Sequence, residues 1–121
     1  MTMSLKMIRR QDHAWVVSHG IIANTYFTRL KGLMGKTEFQ SGEGLLFPRC
    51  NSIHMWMMKL SIDVVFLKKQ NQDWKIVGLH SNVKPWKLLP VSCFKADDTL
   101  ELPVSTIERL GLKVGEVLCI A

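Results

Sequence analysis

The segment Ser52-Ile-His-Met-Trp-Met-Met-Lys-Leu-Ser-Ile-Asp-Val-Val-Phe-Leu67 sets a single carboxylate, Asp63, among Ile62, Val64, Val65 and Phe66. A stretch this apolar predicts strands covered on both faces, and a carboxylate inside one demands a cation or several hydrogen-bond donors. Ser52–Met58 would hold Ile53, Met55 and Met57 on one face and His54, Trp56 and Met58 on the other. Ile62–Leu67 continues in the same character.

Outward from this centre the pattern stays mainly β. Ala14–Ser18 reads as a strand, Gly20 as a turn, and Leu45-Leu46-Phe47 as a strand closed by Pro48. Lys68–Asp73 forms the loop of a hairpin returning through Trp74–His80. Thr99–Leu102 and Val117–Ile120 complete the strands, and Pro85 and Pro90 bracket an irregular segment. Two short helices are expected. Tyr26, Phe27, Leu30, Leu33 and Met34 recur at helical spacing before Gly35, and Ser105-Thr106-Ile107-Glu108 has the spacing of a capping box ahead of Gly111. The expectation is one domain over residues 1–121, a compact β-barrel or jelly-roll-like sandwich with two short helices. Ile53, Met55, Val64, Phe66, Leu100 and Leu102 should be buried.

Composition narrows the function classes. Of 121 residues 47% are apolar and 21% charged, and no apolar run approaches the roughly 20 residues that cross a bilayer as a helix. Gln11, Asp12 and His13 fall where a signal peptide needs its apolar core, so a cytoplasmic protein is expected. Cys50, Cys93 and Cys119 are odd in number and widely spaced, which reads as free core thiols. The net charge of +6 divides into +4 over residues 1–58, +5 over 59–95 and −3 over 96–121. Such an excess could steer polyanions, although scattered lysines ordinarily mark a solvated exterior.

Two further constellations have weaker support. On an extended strand, Cys50 and His54 would stand about 13 Å apart, too far for a nucleophile and its base. The soft donors Cys50, His54, Met55, Met57 and Met58 could suit Cu(I), but alternating methionines more often fill a core. Neither catalytic residues nor metal ligands nor a cofactor are assigned.

Four blocks in order carry a resemblance: GLMG at 32–35 following Arg29, GLLF at 44–47, IHMWMMKLSIDVVFL at 53–67 and TLELPVSTIERLGLKVGEVL at 99–118. Together they resemble domain-of-unknown-function family 192, and the resemblance implies a compact β-barrel or jelly-roll-like sandwich of no established activity. The chain departs from the family pattern at Ser61, where Pro is common, and at Ser105, where Gly is common. Arg29 and Asp63 coincide with recurring family residues, so the resemblance suggests that they pair and fix the first helix against the sheet. A pocket lined by Arg29, His54, Asp63 and Glu101 for a small polar ligand is the functional expectation. This makes the chain a non-enzymatic binding or accessory domain for a small polar ligand or a protein partner. The alternative is a basic nucleic-acid-binding barrel, since the closing LPVSTIERLGLKVGEVLCI is similar to the tail of swapped-hairpin DNA-binding barrels. Steep salt dependence of binding would mark that alternative.

Overall fold

The computed structural model describes residues 3–25 and 32–121. Nine strands are found there: β1 Met3–Arg9, β2 Trp15–Ile22, β3 Leu45–Phe47, β4 Ser52–Ile53, β5 Ile62–Gln70, β6 Asp73–Val83, β7 Val91–Ser92, β8 Asp98–Pro103 and β9 Val117–Ile120. Seven close into a barrel in the order β1-β2-β3-β8-β5-β6-β9, and β4 and β7 form a separate antiparallel pair. Only the β2–β3 contact in the barrel is parallel. There Ile21 N–H donates to Gly44 O at 3.1 Å and Ala23 N–H to Leu46 O at 2.7 Å. Gly20 permits this approach, because a Cβ at that position would lie 2.5 Å from Gly44 O.

Strand alternation divides the core into two layers. Val65, Leu67, Leu100 and Leu102 point into the barrel with Leu5, Met7, Val17, Ile76 and Leu118. Ile62, Val64 and Phe66 point the other way, against Leu45, Phe47, Ile53, Met55, Val83 and Val91. The β4–β7 pair and its flanking loops therefore cover the outer face of β3, β8 and β5. This explains the continuous apolar character of the central segment: Ile62–Leu67 and Asp98–Pro103 are buried without a break. All six residues expected in the core are buried.

Several local readings change. The strand expected over Ser52–Met58 stops at Ile53, because Met57 adopts φ 61° in a turn that leaves Trp56 and Met57 exposed. Gly20 lies within β2 instead of turning the chain, and β6 runs on to Val83. Among the described residues there is one helix, α1 Thr106–Leu110. The other expected helix falls largely on residues 26–31, outside the described residues, and Gly32–Gly35 form a turn.

Arg9 fastens the α1 end of the barrel. Its guanidinium donates to both Asp12 carboxylate oxygens at 3.1 and 2.8 Å, to Leu110 O at 2.7 Å and to Glu116 Oε1 at 3.3 Å. A cation is favoured where helix carbonyls are left unpaired. The hydrogen bond from Arg9 holds the Asp12 carboxyl below the usual carboxylate range.

Candidate functional site

Asp63 occupies a bulge. Ile62 faces Val83 and Val64 faces His80, so β6 places Ser81 and Asn82 opposite Asp63 alone. The extra residue takes Asn82 N–H out of the regular ladder, and Asp63 Oδ1 accepts it at 2.8 Å. Asp63 Oδ2 accepts Ile107 N–H at 2.8 Å. Ile107 is the second residue of α1, whose exposed amide a capping side chain would ordinarily satisfy. Asp63 thus caps α1 from a neighbouring strand while stitching the β6 bulge, and among the described residues it forms no ion pair. Arg29, its expected partner, lies outside the described residues.

The capping box expected at Ser105 is not formed. Ser105 has φ 75°, ψ 1° and makes no side-chain cap hydrogen bond. This left-handed geometry favours glycine, the residue the family resemblance expects there. Because Asp63 supplies the cap, the Ser105 hydroxyl is dispensable. Ser105→Gly is expected to raise stability by about 0.5–1 kcal/mol, read as a higher urea midpoint at unchanged slope. A loss of stability would mean that the hydroxyl contributes.

The candidate site lies between the barrel wall and its covering layer. A cavity of about 180 Å³ is bounded on the barrel side by Phe47 and Glu101 and on the cover side by Cys50, His54, Trp56 and Met58, with Gly32–Met34 as a third wall. Three hydrogen bonds hold the cover in place. Cys50 N–H donates to Asp97 O at 2.9 Å, Thr99 Oγ1 donates to Cys50 O at 2.6 Å, and Gly35 N–H donates to Met57 O at 2.9 Å, tying the 32–35 turn to the 54–58 loop.

Glu101 is the chemically unusual group. It projects from the outer face of β8, between Leu45 of β3 and Val64 of β5. No charged partner compensates it among the described residues, and burial pushes its carboxyl up to about 8. At neutral pH the group is therefore mostly a carboxylic acid with one O–H to donate. His54 stands at the exposed rim, where its Nδ1 accepts Trp56 N–H at 3.2 Å, so a neutral ring carries its proton on Nε2.

The cavity thus contains two of the expected binding residues, His54 and Glu101. Asp63 is elsewhere, with both oxygens engaged by backbone amides. The sequence reading missed Trp56 and Met58 as pocket residues because it treated 52–58 as one extended strand, and it did not bring Phe47 and Cys50 to the pocket. The turn at Met57 ends that extension, and Cys50 and His54 line the same cavity. Met55 is buried in the outer core layer and Met57 is exposed, so the proposed methionine face is divided. Among the described residues no three His, Cys, Asp or Glu side chains gather as a metal site.

A closed seven-stranded barrel with a covered outer face and a buried carboxyl beneath the cover defines the structural class. The chain belongs to the DUF192 family, described as an uncharacterized ACR, whose model matches residues 7–120. It is 34% identical over 99 residues to a UPF0127 protein from Thermococcus sibiricus, an alignment covering 78% of this chain and 61% of that protein. This chain therefore spans about three-fifths of that relative's length. A Sinorhizobium meliloti crystal structure described as a "putative transcription regulator" superposes with a TM-score of 0.82 at 22% identity, covering 99% of this chain and 94% of the other. A protein of unknown function from Novosphingobium aromaticivorans gives 0.78 at 21% identity, covering 97% and 84%. Both likenesses establish the fold. No helix among the described residues is long and apolar enough to cross a membrane.

Proposed function

We propose that this barrel is a binding domain whose cavity above Glu101 takes a small polar molecule bearing an amide or carboxylate group. The observation that carries the reading is the buried Glu101 carboxyl, which has no charged partner among the described residues and opens on that cavity. A neutral carboxyl offers one donor and one acceptor side by side, which an amide matches with a pair of hydrogen bonds. Phe47, Leu33 and Met58 supply apolar walls, and His54 supplies a polar group at the mouth. The volume corresponds to about six water molecules, so a ligand would be well below drug size. Arg29 lies three residues before Gly32, where the Gly32–Met34 wall begins, and belongs to the proposal as a contact for a carboxylate ligand. Asp63 does not enter it.

Acetamide, propionate and ethylammonium serve as probes, followed through amide resonances of Ser52, His54 and Glu101 and through tryptophan emission. Acetamide and propionate are expected to bind with millimolar Kd, as the few atoms of each permit, and to weaken above about pH 8 as Glu101 ionises. Glu101→Leu should abolish the response, and Arg29→Gln should weaken propionate more than acetamide. Binding of ethylammonium alone, strengthening with pH, would overturn the reading in favour of a cation site. The nucleic-acid alternative is supported by the lysine excess; the name of the Sinorhizobium structure describes that protein. The cavity gives the small-ligand reading a defined chemical basis.

A further inference from the structure

The antiparallel β4–β7 pair aligns Ser52 with Ser92 and Ile53 with Val91, so the chain leaving β4 and the chain entering β7 meet at the same end. The chain leaving β4 there carries the exposed Trp56 and Met57, and the chain entering β7 carries the exposed Trp86, Leu88 and Leu89. Leu88 is 87% exposed and Trp56 68% exposed, although each could have been buried by ordinary packing. The sequence flanking them carries charge of one sign. Residues 44–62 carry Arg49 and Lys59 without an acidic residue, and residues 74–96 carry Lys75, Lys84, Lys87 and Lys95, likewise without one. The Lys84 ammonium lies 5.8 Å from the centroid of the Trp86 ring.

We infer that these two loop tips dock the barrel on an anionic membrane surface. Tryptophans suit the headgroup layer, where an apolar ring and a polar N–H are both accommodated. Leu88, Leu89 and Met57 would enter the acyl boundary, while Lys84 and Lys87 extend their ammonium groups to lipid phosphates. The turns at Pro85–Trp86 and Trp56–Met57 present these side chains as projecting tips rather than as a groove. Insertion into a deformable surface suits such tips better than contact with a fixed partner groove. The basic flanking sequence, without an acidic residue in 44–62 or 74–96, selects the sign of that surface.

The test uses the intact chain and vesicles of phosphatidylcholine, alone or with roughly one part phosphatidylglycerol to three parts phosphatidylcholine. Co-sedimentation is expected with the anionic vesicles only, accompanied by a blue shift of tryptophan emission and quenching by brominated acyl chains. Replacing one of Lys84 and Lys87 by Gln should lower the partition constant about fivefold, and losing both should lower it about twentyfold or more. The double variant Leu88→Asp, Leu89→Asp should abolish co-sedimentation while leaving the unfolding midpoint unchanged, since both side chains are exposed. Absence of binding to the anionic vesicles, or binding indifferent to the Leu88 and Leu89 changes, would overturn the inference. So would concentration-dependent dimerisation that the same variant removes, because the surface would then belong to a second copy of the chain.

Discussion

Asp63→Ala is expected to cost about 2–4 kcal/mol, a large part of the roughly 5–15 kcal/mol that holds a domain of this kind together. The substitution leaves Asn82 N–H and Ile107 N–H without the oxygens that accept them at 2.8 Å each. An orphaned buried donor costs about 1–3 kcal/mol, and loss of a helix cap about 1 kcal/mol. The Ile107 bond is counted in both descriptions, so the two figures overlap. Asp63→Asn keeps one accepting oxygen but turns an NH₂ group toward the other amide, and should lose about half as much. Urea unfolding measures the total, while hydrogen exchange locates it: Asn82 and Ile107 should lose protection ahead of the other barrel amides. An Asp63→Ala protein with the wild-type midpoint would show that these bonds add nothing net to stability.

The contrast between Asp63 and Glu101 explains what could be read before the fold was known. Both are carboxylates on apolar strands; the apolar run around Asp63 made that residue conspicuous, while Glu101 entered only as one residue of the expected pocket. Sequence spacing places Asp63 in a strand but cannot disclose that a bulge in β6 and the second residue of α1 will present amides to its two oxygens. That arrangement depends on register. A charge partner was therefore sought in Arg29, whereas the described partners are backbone groups, which leave little mark in composition. Glu101 presents the reverse situation, since its significance lies in what faces it after the β4–β7 layer has closed over β8. The mainly β character, the buried central segments and the core residues were legible because period-two alternation and doubly apolar strands follow directly from covered sheets. Trp56 and Met57 were misplaced for a specific reason: Met57 takes φ 61°, a conformation uncommon outside Gly, Asn and Asp, and nothing in HMWMM announces a turn. β1 was missed because Met3–Arg9 mixes long basic and apolar residues in a weak alternation.

Glu101→Gln is expected to stabilise the protein, increasingly so as the pH rises. The folded carboxyl titrates near 8, against an ordinary value of 4.5. Between those values the folded chain keeps a proton that the unfolded chain has released, so stability falls with rising pH by about 1.4 kcal/mol per unit. The wild type is therefore at its full stability with respect to this group below about pH 4.5. It has lost about 3 kcal/mol by pH 7, and the loss levels off above about pH 8. Glutamine cannot ionise and lacks this dependence. The two proteins should unfold alike in acid and diverge above pH 5, with the variant more stable by about 3 kcal/mol at neutrality. Equal urea midpoints across this range would mean that Glu101 is compensated in the folded state, removing the main support for a ligand site above it. A divergence of the expected sign would identify a carboxyl that weakens the fold at neutral pH, when a neutral side chain of the same shape would not. Such a cost is common at binding sites, where a preorganised polar group is set against stability. In this barrel it would place that group on the cavity that Trp56 and His54 also line.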